Sequence, residues 1–313
     1  MEKEDPCCLP PASSAPWFVY TQASVRDEKV QTFCTFSSSP PYFRYFLKSI
    51  PQLCGKQILS SNDGWFLLRH LDNLKLFTVW NPVSSRVIHL PPLNALEDGV
   101  VELYTLICPR SEDGDGGDVN VLVFVDGLAF SYRPSGDSNS WIAQTTELNG
   151  KRARVKVAVT CNGVIYGNAN VSTEDGGFRV YFVLVEVSDR DGYLTLRLLA
   201  NAPRAGFPYS SGLSGLVASC GKVYTVRVDK RFPLDRGIRI CAVSVWEFDL
   251  CSSTWVRIKC LGGRAFLLGP RVEAWCWGNT DHNGLGGVRQ NSVYLHFPKS
   301  QAIYIYIVWM IVA

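Results

Sequence analysis

Residues 121–132 read Val-Leu-Val-Phe-Val-Asp-Gly-Leu-Ala-Phe-Ser-Tyr: an apolar run, an Asp-Gly step, and a second apolar run ending in aromatics. Asp and Gly tolerate the positive φ angles that a tight hairpin turn demands, so the stretch reads as two antiparallel strands. The same form recurs at Asn62-Asp63-Gly64 before Trp65 and Phe66, at Asn162-Gly163 before Tyr166, and at Cys220-Gly221 before Tyr224. Asn291-Ser292, followed by Tyr294, reads as a degraded fifth copy.

A second element follows most of these: an aromatic-rich strand, a polar turn and another strand. Trp80-Asn81-Pro82 passes through Ser84-Ser85 to Val87–Leu90, and Tyr132-Arg133-Pro134 passes through Gly136 and Asp137 to Trp141. Val183 to Val187 passes through Asp189, Asp191 and Gly192 to Leu194–Leu198, and Trp246 to Asp249 passes through Ser252-Ser253 to Trp255–Ile258. No stretch keeps a helical period; residues 42–48 (YFRYFLK) come nearest and read equally well as a strand.

Units built from these elements start near residues 15, 54, 100, 154, 213 and 266, about six in number and roughly 50–60 residues apart, as in kelch-like four-stranded blades. One blade cannot bury both of its faces, so blades must stack around an axis. The expected fold is all-β: a kelch-like β-propeller of about six four-stranded blades. It forms a single domain over residues 16–313, after a flexible lead-in over 1–15 that carries Pro6, Pro10 and Pro11. Ile303 to Ile307 is expected to close the ring by pairing with N-terminal strands. Ser111 to Asp118 reads as an exposed acidic-Gly loop, and residues 201–215 as an irregular connector.

Composition bounds the function. Apolar residues make up 47% of 313 and charged residues 19%, enough to bury a large core. The net charge of +3 is small for a nucleic-acid binder. The densest basic cluster, Lys151, Arg152, Arg154 and Lys156, alternates with Val155, Val157 and Val159, which reads as the solvent face of one strand. Eleven cysteines are scattered singly apart from Cys7-Cys8, and no secretory pattern precedes them, so a reducing cytoplasmic or nuclear setting is expected. The Asn170-Val171-Ser172 sequon carries no meaning in such a setting. The acidic start, Met1 to Asp5, disfavours the mitochondrial alternative. Ile303 to Ala313 is almost wholly apolar but falls short of the roughly 20 residues that span a bilayer, so it reads as a buried strand and no membrane partner is expected.

The chemistry-bearing residues do not assemble into a site. There is no Cys-x-x-Cys pair, and His70, His89, His282 and His296 share no metal spacing. Asp113, Asp115 and Asp118 fail the calcium-loop pattern, because Gly117 and Phe124 stand at its fifth and twelfth positions. Gly212-Leu213-Ser214-Gly215 misses the nucleophile elbow by one residue and reads as a flexible glycine loop. Asp281-His282 reads as a surface loop pair beside Gly284, Gly286 and Gly287, and no phosphate-binding loop occurs. Trp65, Trp80, Trp141, Trp246 and Trp255 fall at repeat-equivalent places and read as packing between blades. The expectation is a non-enzymatic monomer without cofactor or metal, whose loops bind a protein partner. An enzyme with a central-channel pocket is the weaker alternative.

Four stretches resemble the plant F-box-associated family known as the domain of unknown function 295, or KIB1-4 β-propeller. They are Gly55 to Leu67 with Ser60-Ser61-Asn62-Asp63-Gly64-Trp65, and Trp80-Asn81-Pro82 to Leu90-Pro91-Pro92. The other two are Val245 to Gly269 with Phe248-Asp249-Leu250, Trp255-Val256 and Leu261-Gly262-Gly263-Arg264-Ala265-Phe266-Leu267-Leu268-Gly269, and Gly287 to Phe297. They occur in family order and extend the likeness over roughly residues 16–300. The resemblance implies substrate recognition for a cullin-type ubiquitin ligase, or an F-box-independent scaffold or organellar role. Only about 15 residues precede the first expected strand, and no Leu-Pro-led helical pattern lies there, so the helical F-box that docks a Skp1-type adaptor is not recognised. Ile303 to Ala313 also departs from the acidic-Gly hairpin with which the family usually ends.

Overall fold

The structure is a computed structural model. It describes residues 17–20, 31–36, 43–48, 50–62, 64–95, 103–107, 119–133, 140–188, 192–203, 211–231, 239–268, 274–277, 291–297 and 302–307. The lead-in over 1–15, the acidic loop Ser111–Asp118 and the pair Asp281-His282 lie outside the described residues.

The described strands form six sheets. The first contains β1 (Trp17–Tyr20), β2 (Gln31–Phe36) and β3 (Phe43–Lys48). The second contains β4 (Lys56–Asn62), β5 (Trp65–His70), β6 (Phe77–Asn81) and β7 (Arg86–His89), after a single 3-10 turn at Pro51–Leu53. The third contains β8 (Leu103–Ile107), β9 (Asn120–Val125), β10 (Leu128–Tyr132) and β11 (Ile142–Thr145). The fourth has five strands: β12 (Glu147–Leu148), β13 (Lys151–Cys161), β14 (Val164–Ser172), β15 (Phe178–Val187) and β16 (Leu194–Asn201). The fifth contains β17 (Ser211–Ser219), β18 (Lys222–Arg231), β19 (Arg239–Asp249) and β20 (Thr254–Ile258). The sixth contains β21 (Ala265–Leu268), β22 (Ala274–Trp277), β23 (Ser292–Phe297) and β24 (Ala302–Ile307). Each expected unit start falls within a few residues of the first long strand of a sheet, and the ambiguous stretch at 42–48 is strand β3.

The turns follow the local chemistry. Asp126-Gly127, Asn162-Gly163 and Cys220-Gly221 all carry positive φ at both residues, between 43° and 81°, as two-residue hairpin turns require. Asn149-Gly150, which the repeat pattern did not single out, does the same between β12 and β13.

Five details differ from expectation. In the second, fourth and fifth sheets the polar-Gly turn joins the first long hairpin, but Asp126-Gly127 joins β9 to β10, the second hairpin of its sheet. Turn chemistry is local and does not say which pair of strands it joins. Asn291 keeps the positive φ of the other copies (56°) but forms no hairpin turn. Instead β23 runs parallel to β21, Ala265 opposite Ser292 through Leu268 opposite Leu295. The connection between them is long enough to hold β22, as a parallel pair requires. Gly212-Leu213-Ser214-Gly215 is not a loop but lies within β17, paired in unbroken register with β18 from Ser211 opposite Lys230 to Ser219 opposite Lys222. Backbone pairing along two long strands overrides the breaker tendency of isolated glycines. Among the described residues the last strand, β24, pairs not with the N-terminal strands but with β23, Ser292 opposite Ile307 through Phe297 opposite Ala302. Finally, the strand number is three in the first sheet and five in the fourth rather than four.

Residue contacts group the chain into two compact units: residues 1–123, 131–142 and 281–288, and residues 124–130, 143–280 and 289–313. In the first unit Ile50, Leu53, Leu68 and Trp80 form a buried cluster, with Ile58 and Phe66 packed against it. Trp141 lies against Phe77 and Tyr132, at 6.2 and 5.4 Å between ring centroids, and its indole N–H donates to the Pro91 carbonyl at 2.8 Å.

The second unit shows the two-residue period of strands at work. Leu216 and Val223 turn one way, into a cluster with Val157, Cys161, Tyr166, Phe182, Leu184 and Phe248. Their immediate neighbours Val217 and Tyr224 turn the other way, into a cluster with Val226, Val228, Val245, Leu261, Phe266, Leu268, Val293 and Leu295. The fifth sheet is therefore buried on both faces, between the fourth and the sixth. Phe182, with no exposed surface, sits at the centre of an aromatic group, with ring centroids 5.7 Å from Tyr166, 4.6 Å from Phe248 and 4.7 Å from Trp255.

Candidate interaction surface

The outer hairpins of the second and fifth sheets carry the same device. Asn81 Oδ1 accepts from the Val83 and Ser84 amides at 2.9 and 3.0 Å. Asp249 Oδ1 accepts from the Cys251 amide at 3.0 Å, and Oδ2 from the Ser252 hydroxyl at 2.7 Å. Each turn ends in a serine at positive φ, Ser85 at 57° and Ser253 at 51°. The side chain thus mimics a backbone turn and holds the loop in one shape. The fixed tips hold apolar side chains in solvent: Val83 is 89% exposed and Leu250 56%. The Asp249 carboxyl is held below the usual carboxylate range, chiefly by the Ser252 hydroxyl and then by the Cys251 amide.

The first long hairpin of the fifth sheet ends in Cys220, an exposed thiol. The Ser219 hydroxyl, 3.6 Å from its Sγ, and then Arg264 hold that thiol below its ordinary value. Arg264 also donates to the Tyr224 hydroxyl at 2.9 Å and lies over its ring at 5.7 Å. Cys161, at the matching turn of the fourth sheet, is buried, and burial pushes its thiol up. It donates weakly to the Lys222 carbonyl at 3.7 Å. Lys222 in turn pairs with Glu247 at 2.6 Å.

The basic cluster on β13 is tied into the protein. Val155 and Val157 are buried on the opposite face of the strand, as the alternation implied. Arg154 Nε lies 3.1 Å from Asp126 Oδ1, and Arg152 donates to the Asp126 carbonyl at 2.5 Å. Lys151 lies 3.9 Å from Glu174. Beside this contact Thr146, with 1% of its surface exposed, donates its amide to the Gly127 carbonyl and its hydroxyl to Ala153. These groups fasten the Asp126-Gly127 turn to the start of β13.

Two of the histidines, unrelated by metal spacing in the sequence, come together across the second sheet. His70 Nε2 lies 3.0 Å from the Thr78 hydroxyl, and the same hydroxyl lies 3.5 Å from His89 Nδ1. Spacing alone missed this pair. The signal was the four-residue outer turn, which sets Asn81 opposite Arg86 and, counting back, Thr78 opposite His89. Among the described residues, no group of three or more His, Cys, Asp or Glu is placed to hold a metal ion. Trp65 and Trp80 are buried, and Trp255 packs on Phe182 and Phe248, in line with packing roles for the tryptophans.

Six small, largely antiparallel sheets that follow one another in chain order are the pattern of β-propeller blades. The chain belongs to the KIB1-4 β-propeller family, whose model matches residues 35–306. No curated protein matches the chain. No helix among the described residues is long and apolar enough to cross a membrane.

Proposed function

We propose that the chain is a protein-interaction module that binds its partner through the turns at the ends of its sheets, without chemistry and without a cofactor. The observation that carries this reading is the pair of Asx-stapled outer turns, which hold Val83 and Leu250 rigidly in solvent. An apolar side chain on an immobilised loop loses little conformational entropy on binding, which is what a recognition surface needs. Membership of the KIB1-4 family supports the finer reading, that the partner is a substrate presented to a cullin-type ubiquitin ligase. In the competing version the chain binds the same partner as a scaffold, independently of an F-box. Cytoplasm or nucleus is the proposed setting, with a mitochondrial one as the alternative that a fluorescent fusion distinguishes.

The test is affinity purification of the tagged chain with mass spectrometry, run beside Val83→Asp and Leu250→Asp. A specific protein recovered with the parent and lost with either variant supports the tip surface. Equal recovery with both variants refutes it. Co-recovery of a Skp1-type adaptor and cullin selects the ligase version, and consistent absence of the adaptor selects the scaffold.

A further inference from the structure

We propose that His70, Thr78 and His89 form a proton-sensitive latch that fastens the outer strand β7 to the second sheet. Thr78 is 1% exposed, and among the described residues its hydroxyl meets only the two imidazoles, at 3.0 and 3.5 Å. A hydroxyl has one proton to give and lone pairs to receive with. It is satisfied when one imidazole nitrogen donates to it and the other accepts from it. That chain survives while at least one imidazole is neutral. With both protonated, two N–H groups converge on one oxygen, the hydroxyl proton loses its acceptor, and two cations face each other across a buried side chain.

The surroundings add to the effect. Lys56, opposite His70 across β4 and β5, brings further positive charge, and Cys54 lies near Lys56. Only Asp72 opposes this among the described residues, 3.9 Å from His70 Nδ1 and itself 85% exposed. His70 is held below its ordinary value by burial first and then by Lys56, with His89 adding to the shift and Asp72 working against it. A histidine whose folded value is depressed contributes stability above its unfolded value of about 6.5 and loses it as pH falls from there to the folded value. Strand β7 spans four residues and is mostly exposed. Beyond its cross-strand bonds to β6, its ties include the Arg86 guanidinium 5.8 Å from the Trp65 ring centroid and, just past its end, the Leu90 amide to Phe77, the Leu93 amide to Lys75 and the Trp141 indole to Pro91.

The experiment is hydrogen exchange of the full chain at about pH 7.5 and about pH 5.5, corrected for intrinsic rates, read on the peptide covering residues 86–93. The expected opening rises on acidification, by at most about tenfold at pH 5.5, where an unfolded imidazole of value about 6.5 is already mostly protonated. The rise shrinks in His89→Gln and vanishes in the double variant His70→Gln/His89→Gln. An unchanged opening in the parent chain, or an equal rise in the double variant, overturns the latch. So does an equal rise in the peptide covering residues 254–260, which holds no histidine. NMR titration of the parent chain needs no variant: His70 is expected to titrate below 6.5, and a value at or above 6.5 overturns the proposal.

Discussion

The second and fifth sheets share a backbone and differ in what they place on it. Their outer hairpins have the same register: Asn81 opposite Arg86 and Trp80 opposite Val87 in one, Asp249 opposite Thr254 and Phe248 opposite Trp255 in the other. Two positions further in, the second sheet sets Thr78 opposite His89, and the fifth sets Trp246 opposite Arg257. One turn device, an Asn or Asp side chain closing four residues, dictates both registers. The faces built on that register are free to diverge. The fifth sheet continues an aromatic interface onto the fourth, while the second places a polar row across its face.

The largest test of this comparison removes the aromatic that both sheets share. Phe248→Ala and Trp80→Ala empty equivalent, buried positions, and each is expected to lose about 3–5 kcal/mol in denaturant unfolding. Phe248 touches both Phe182 and Trp255, at 4.6 and 5.1 Å, whereas Trp80 has Phe66 at 5.7 Å. The fifth-sheet variant is therefore expected to be the worse of the two, and the reverse order would break the ranking.

The inner turns give a smaller contrast. Gly64 and Gly221 both sit at positive φ, 79° and 73°. A Cβ at Gly64 would meet nothing closer than Asn81 Nδ2 at 3.9 Å, but one at Gly221 would lie 2.9 Å from Asn162 Nδ2. Gly64→Ala is expected to cost about 1 kcal/mol from backbone strain alone, and Gly221→Ala measurably more. Equal melting shifts would show that Asn162 simply swings away.

Next, Asn81→Ala removes two side-chain hydrogen bonds from an exposed turn and is expected to cost about 1 kcal/mol, read as faster exchange of the Val83 and Ser84 amides. The smallest effect separates the two staples by pH. The Asp249 value is depressed, so its contribution is present above the unfolded carboxylate value of about 3.9 and is lost as pH falls through the folded value. Protection of the Cys251 amide is then expected to fall in acid while that of Val83 does not, because Asn81 does not titrate. Parallel loss at both turns would refute the shared-device account.

Much of the fold was legible one residue at a time. Asn162-Gly163 and Cys220-Gly221 announce their hairpins because positive φ is a cost set within the dipeptide itself. The alternation of Arg152, Arg154 and Lys156 with valines announces a strand because side-chain direction has a fixed period. The family motifs lie at these same places, since a repeat is recognised by its turns and aromatics. The candidate site was less legible. The four histidines gave no sign of acting together, because Thr78 joins two of them only after β6 and β7 pair.

By itself, then, the sequence determined the all-β class, the six unit starts, the hairpin turns and the apolar faces, all of which rest on local backbone preference and strand period. Only the tertiary structure decided that Asp126-Gly127 closes the second hairpin of its sheet, that β23 lies parallel to β21, that β24 stays with the sixth sheet, and that His70 and His89 share one hydroxyl. Each of these turns on which strands pair with which, beyond the residues of any one turn. Such pairings are chosen by the burial and hydrogen bonding of both partners together, which neither segment encodes alone.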